Sequence, residues 1–259
     1  MTVRMGEVAN SFTVVLRLLI FSCFCVSCAA SSMQTPDPGT WQAIHEALDR
    51  QRHAHPESPW AAGVSMTMRE PHTGRTLDGR GAIAVAPGRA LRMILVGAAG
   101  ATMLDAWVTP DRWRIAIPPA GLLRRGGDGA LHPERDQVDE PADLPVGFLR
   151  WLFFRPLAGT LVGGSIEPGR VLFFLRDDEA VLEVRLGACS RGELTTTRRR
   201  ARGRTERLDE CRASSAVTLG DWVRYEDEKS GLIVELTIES MSSGSPEEGA
   251  FRDPDAEGS

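Results

Sequence analysis

The chain has 259 residues, 42% of them apolar and 25% charged, which suits one globular domain of moderate size with a core of its own. Its formal charge is −5 and its pI is near 5.6, so no nucleic-acid partner held by phosphate contacts is expected. Five cysteines are too few for a disulfide scaffold, and no apolar run reaches the roughly 18 uncharged residues of a spanning helix.

Arg4 precedes an apolar stretch from Phe12 to Val26 that Arg17 interrupts. The unbroken part, Leu18 to Val26, has the length of the core of an export signal and is too short to span a bilayer. It ends in Phe24-Cys25-Val26-Ser27-Cys28-Ala29. A small residue directly before a cysteine at this place resembles a bacterial lipobox, with Cys25 standing where leucine is usual. The resemblance implies a signal peptide over 1–27 and lipidation (palmitate among the acyl chains) of Cys28 as the mature N-terminus. Ala29, Ala30, Ser31 and Ser32 follow, with no aspartate to signal inner-membrane retention. The expectation is a protein anchored by lipid to the periplasmic face of the outer membrane. Cys25 and Cys28 form a C-x-x-C in letters only, because a redox pair needs a helix N-terminus that this stretch lacks.

Residues 28–39 are small and polar and read as a flexible tether. Thr40 is placed to cap a helix from Trp41 to about His53, with Trp41, Ile44 and Leu48 on one stripe. Pro56 and Pro59 end it. Strands then follow at 61–69, 75–86, 90–96, 103–109 and 112–117, divided by Gly- and Pro-containing turns. Alternation is cleanest at Trp113, Ile115 and Ile117. From Leu123 to Asp143 glycines, prolines and charges dominate, which predicts a long loop. Asp143 is placed to cap a short helix over about 144–154, apolar almost all round, that Pro156 stops. Six more strands are expected at 170–176, 180–186, 193–200, 205–211, 217–227 and 232–240. This amounts to an α+β protein with about eleven antiparallel strands, one face apolar and one wet. The tail from Ser242, rich in Ser, Gly, Pro and acids, is expected to be disordered.

Few groups point to chemistry. His53 and His55 are two apart at a helix end and point in different directions, and His45, His72 and His132 have no partner at ligand spacing, so no metal site is expected. There is no G-x-S-x-G elbow, and Ser165 stands in a glycine-rich stretch without an assigned base. Asp177-Asp178, Glu226-Asp227-Glu228 and Asp253 with Asp255 fall on turns, strand ends or the tail, where solvated charge is the ordinary reading. Gly79-Arg80-Gly81-Ala82-Ile83-Ala84 matches G-x-G-x-x-A but leads into a strand where a dinucleotide site needs a helix. No catalytic residue and no cofactor is expected. The arginines from Arg198 to Arg207, around Gly203, read as a solvated hairpin whose like charges are offset by Glu206, Asp209 and Glu210. Contact with an anionic surface is the other reading. Cys189 and Cys211 are candidates for a disulfide if they lie on neighbouring strands, and closing a loop of about 23 residues would contribute roughly 3 kcal/mol. Two free thiols are the alternative.

A first helix, a meander, a loop and helix, and a second meander resemble the LolA/LolB-like outer-membrane lipoprotein carriers over roughly residues 40–240. The local likeness is strongest from Gly81-Ala82-Ile83-Ala84-Val85 through Leu91-Arg92-Met93 to Trp113-Arg114-Ile115-Ala116-Ile117-Pro118. Arg224-Tyr225-Glu226-Asp227 with Gly231-Leu232-Ile233-Val234 also fits. The resemblance implies an unclosed β-barrel, over 40–241, whose mouth is filled by helices and whose cavity receives acyl chains of lipid or lipoprotein. One departure is that the turn from Gly97 to Ala101 is short and lacks the exposed leucine of the membrane-anchored carriers. The expected cavity residues are Met93, Leu95, Trp113, Ile115, Ile117, Trp151 and Phe154; a one-residue slip in any strand would invert its part of that set. Two readings stand at this point. One is a non-enzymatic carrier or acceptor of acyl chains. The other is a structural or assembly lipoprotein with an envelope protein as partner.

Overall fold

The computed structural model describes residues 36–255, apart from 55, 71–73, 127–145, 155–156, 178–179, 202 and 215. The expected signal peptide, Cys28, most of the tether, Asp143 and most of the 123–143 loop lie outside the described residues. Two helices are described, α1 (Pro38–His53) and α2 (Val146–Phe154). The first meander comprises β1 (Trp60–Glu70), β2 (Arg75–Ala86), β3 (Ala90–Val96), β4 (Thr102–Val108), β5 (Trp113–Ile117) and β6 (Leu122–Gly126). The second comprises β7 (Thr160–Glu167), β8 (Arg170–Asp177), β9 (Ala180–Cys189), β10 (Gly192–Ala201), β11 (Arg204–Arg212), β12 (Trp222–Asp227) and β13 (Ile233–Met241).

All thirteen strands form one antiparallel, curved, unclosed sheet in the order β6-β5-β4-β3-β2-β1-β13-β12-β11-β10-β9-β8-β7. A sheet of this width curls instead of staying open and flat. The meanders meet where β1 pairs with β13, from Ala62 opposite Met241 to Arg69 opposite Ile233. The strands β6 and β7 are therefore the two opposite edges. The connection between them, which carries α2, has to travel from one edge of the sheet to the other.

Two strands were not expected. β6 contains Leu122 and Leu123 but continues as Arg124-Arg125-Gly126, so charge and glycine mask a strand paired with β5 from Trp113–Gly126 to Ile117–Leu122. β7 is interrupted by Gly163-Gly164, with an irregular register against β8 between Leu161 and Gly163. Gly164 has a packing reason. A Cβ there would lie 2.5 Å from the Leu172 carbonyl oxygen and 2.9 Å from Ile44 Cδ1 of α1. Only glycine lets the helix approach this closely.

The helix start also differs from expectation. Asp37 is the cap, accepting from the Gly39 and Thr40 backbone N–H groups at 3.0 and 3.1 Å, with Pro38 as the first helical residue. The Thr40 hydroxyl donates to Asp37 Oδ2 at 2.6 Å. This bond comes first among those that hold the Asp37 carboxyl below its ordinary value. Proline at the first position is compatible because its missing N–H would be unpaired there anyway.

The tail, expected to be disordered, docks over residues 242–255. Phe251, in a short 3-10 turn (Glu248–Phe251), is buried against Ala86 and Ala90. The Trp107 indole donates to its carbonyl at 2.9 Å, and the Arg89 guanidinium lies over its ring. Asp255 accepts from Arg125 at 2.5 Å and Arg114 at 3.1 Å. Those two arginines are directly opposite each other on β5 and β6. Like charges in that position repel, and Asp255 neutralises the pair. One aromatic anchor and one counterion thus outweigh a composition that reads as disorder.

Candidate functional site

Strand alternation places two apolar patches on the inner face of the sheet. The larger draws on β1 to β5 and β11 to β13. The register aligns Leu91 with Val108 and Trp113, and Met93 with Ala106 and Ile115, in rows across three strands. Met66, Ile83, Leu104, Val234 and Leu236 continue it. On the reverse face of the same strands, Arg92, Asp105 and Arg114 form an ion-pair ladder, Asp105 taking Arg92 at 2.7 Å and Arg114 at 2.8 Å.

Helix α2 covers this patch. Phe148, Leu149, Trp151 and Leu152 are buried in it, and Phe153 and Phe154 pack at its margin. The nine-residue helix is too short to be stable by itself in water, so its order comes from this seat. Fully burying a side chain of this size contributes roughly 1.5–3 kcal/mol. Three ring contacts tie the cover to the wall. Phe148 lies 5.3 Å and Trp151 6.5 Å from the Tyr225 ring, and Phe153 lies 6.1 Å from Trp60.

The structure brings all seven expected residues into this one cluster. Met93, Leu95 and Ile115 are fully buried, Ile117 and Trp151 are buried, and Trp113 and Phe154 are half-buried against it. Phe148, Leu149 and Tyr225 were not among them. The first two share the apolar character of α2 with Trp151. Tyr225 is the only tyrosine of the chain and alternates with polar neighbours on β12, a signal that could have placed it on the inner face.

The second patch is smaller and lies under α1. Ile44, Ala47 and Leu48 pack on Phe173, Leu175, Leu182 and Val184. Polar bonds fix this helix. Arg52 donates to the Leu157 and Gly159 carbonyls at 3.3 and 2.7 Å, Arg212 donates to the Ala54 carbonyl at 3.0 Å, and Gln51 donates to Glu193.

Between the patches the inner face is polar. Arg199 of the arginine run is buried there and meets Glu206 at 3.1 Å, where a solvated hairpin was expected. The Tyr225 hydroxyl donates to Glu206 at 2.8 Å. Burial, with Glu206 beside it, pushes that hydroxyl up, so it stays protonated as the donor. Arg204 pairs with Asp227 at 2.9 Å. Arg198 and Arg207, opposite each other, are matched by Glu228 and Asp209. The expected offset by carboxylates therefore holds for Glu206 and Asp209, while Glu210 pairs instead with Arg212.

Cys189 and Cys211 are bonded to each other. The bridge forms although their strands are not neighbours, since β10 lies between β9 and β11. Cys189 stands at the turn into β10, opposite Gly192, and reaches across the strand end. Among the described residues no group of three or more His, Cys, Asp or Glu could hold a metal ion, and no helix is long and apolar enough to cross a membrane.

The class defined by this architecture is an unclosed antiparallel half-barrel with helices on its concave, apolar face. No protein-family profile and no curated protein matches the chain. Among solved structures, it is similar to an outer membrane lipoprotein-sorting protein domain from Vibrio parahaemolyticus. The identity is 12%, with 81% of this chain and 95% of that one covered, at a TM-score of 0.48. It is also similar to a LolA superfamily protein from Nitrosomonas europaea, at 11% identity, 83% and 98% coverage and a TM-score of 0.43. A DUF1329 family protein from Desulfovibrio piger gives 12%, 84%, 98% and 0.44.

Proposed function

We propose that the protein is a lipid-anchored envelope protein that binds acyl chains of lipid or lipoprotein on the inner face beneath α2, as a carrier or acceptor and not an enzyme. The observation that carries this reading is the seat of α2. A short, almost wholly apolar helix covers a continuous apolar wall and belongs to the connection between the two free edges of the sheet. An acyl chain replaces the apolar contacts of α2 with its own when the helix swings out. Each buried methylene contributes about 0.8 kcal/mol, so a C16 chain offers roughly 12 kcal/mol against the cost of displacing the helix and ordering the chain. Cys28, lipidated, tethers the domain to the periplasmic face of the outer membrane.

The full burial of Met93, Leu95 and Ile115 favours a second reading, in which α2 is a permanent part of the core and the protein is an assembly lipoprotein with a protein partner. Native mass spectrometry separates the two. A form beginning at residue 29, exported to the periplasm and purified without detergent, is expected to carry a lipid mass that Trp151→Asp removes. A clean apo mass, with no uptake of added fatty acid or lipopeptide, rules out the carrier reading.

A further inference from the structure

The C-terminal tail lies along the outer face of β2 to β6, the side of the sheet away from α2. Phe251 fills a pocket floored by Ala86 and Ala90, with the Arg89 guanidinium 5.5 Å from its ring centroid. Its carbonyl accepts from the Trp107 indole at 2.9 Å. Asp253 meets Arg112 at 3.7 Å, and Asp255 meets Arg114 and Arg125. The groove thus recognises an aromatic ring, a main-chain carbonyl, and carboxylates two and four positions after the ring.

The receptor is built more firmly than its occupant is held. Trp107 is 4% exposed, and its single N–H donor is spent on the Phe251 carbonyl. Whichever segment fills the groove has to offer an acceptor at that point. The face presents Arg89, Arg92, Arg112, Arg114 and Arg125 against Asp105 and Asp111, and the tail presents Glu247, Glu248, Asp253 and Asp255 against Arg252. The two charge surpluses are equal and opposite. The occupant, in contrast, has one anchor. Among residues 242–255 only Phe251 is buried. Arg89, Arg112 and Arg125 are each more than half exposed, so their pairs with the tail contribute little. Ordering the tail backbone opposes even that gain.

We propose that this groove is a docking site for an acidic segment of a partner protein, an aromatic residue followed by carboxylates two and four positions on, and that the tail is the chain's own competitor for it. A partner segment takes the same pocket, indole donor and arginines once the tail leaves. Its apparent affinity is lowered by the fraction of the time the tail is seated. The site does not depend on the acyl-chain reading, since none of its contacts belongs to the α2 cluster.

The test is fluorescence anisotropy with three labelled peptides. One has the sequence of residues 246–255, one is the same with Phe251→Ala, and one keeps only the aromatic residue and the two carboxylates at their spacing among serines and glutamines. The full chain carrying Phe251→Ala, whose groove is vacated, is expected to bind the first peptide roughly tenfold more tightly than the unaltered chain. The third should bind within about threefold of the first and the second not at all, with amide shifts at 86–92 and 107–114. Adding Arg112→Ala should weaken binding about threefold, and Arg185→Gln, on the outer face of β9, should not change it. The proposal is overturned if neither chain binds the first peptide, if the third fails to bind, if the second binds as well as the first, or if the shifts map elsewhere. It is also overturned if the unaltered chain dimerises through this face as concentration rises, which makes a second copy's tail the occupant. Binding of the vacated face to phosphatidylglycerol vesicles but not to peptide overturns it as well. Should Phe251→Ala fail to fold, the chain with Asp253→Asn and Asp255→Asn, which loosens the tail at exposed pairs alone, takes its place.

Discussion

The two helices cover the same sheet in different ways. α1 is amphipathic, capped by Asp37, basic in its last turn and bonded through Arg52 to the Leu157 and Gly159 carbonyls of the loop before β7. α2 is apolar nearly all round, and its aromatic rings pack on Tyr225 and Trp60. Apolar contact is non-directional, whereas hydrogen bonds specify one position. The α1 side is thus built as a fixed core, and the α2 side is suited to exchange of one apolar occupant for another. A disulfide and a buried ion-pair seam lie on the fixed side or between the two.

The largest expected effects sharpen this contrast directly. Ile44→Ala leaves a hole between α1 and Gly164 and is expected to lower global stability by about 3–4 kcal/mol in urea unfolding. In hydrogen exchange, the amides around Ile44 should then open only with global unfolding, while those of α2 open locally at a lower free energy. Equal protection of the two helices would break the comparison. Next in size is the disulfide. Replacing both Cys189 and Cys211 by serine is expected to cost about 3 kcal/mol, and α2 exchange should change less than that of β9 to β11.

A smaller effect concerns Glu210, which faces Arg212 on its own strand, Glu193 on β10 and Arg50 and Gln51 on α1. Its carboxyl titrates above the unfolded value, so the folded state holds the proton more tightly than the unfolded state. The group's contribution to stability is full in acid, below the unfolded value, and is lost as pH rises through the folded value. Glu210→Gln is therefore expected to raise the Tm slightly at neutral pH, with the difference vanishing in acid. A lower Tm for this variant at neutral pH would show that the Arg212 pair outweighs burial. The smallest effect is at the tail. Asp255→Asn should leave the Tm nearly unchanged but speed proteolysis near the C-terminus, and high salt should do the same to the unaltered protein.

Period-two alternation carried most of this fold. Where apolar residues alternate without glycine, as at Trp113, Ile115 and Ile117, strand, face and cluster all follow from the sequence. β6 and β7 escaped because their neighbours, and not their own residues, decide them. Gly163-Gly164 reads as a loop until Ile44 is known to press on it. The tail escaped because one phenylalanine among acids carries no periodicity. The seven wall and cover residues were legible because apolar faces are periodic. The polar cluster at the end of α1 was not, since Gln51, Glu193 and Arg212 meet only where a helix end crosses two strands, and Glu210 looked like one more carboxylate beside an arginine run.

The pairing of β1 with β13 has a consequence for how the molecule is made. The first and last of the described strands lie side by side at the middle of the sheet, so each meander can form from local hairpins, but the two cannot pair before β13 arrives. That join has the longest loop closure in the fold and is expected to be a slow step. A chain emerging N-terminus first, from a ribosome or through a membrane pore, cannot pair its two meanders until β13 is out. Assembly of the half-barrel is therefore tied to the arrival of β13, and a truncation that removes β13 takes away the strand pairing that joins the two meanders and leaves only the contacts of α2 with Trp60 and Tyr225 across them.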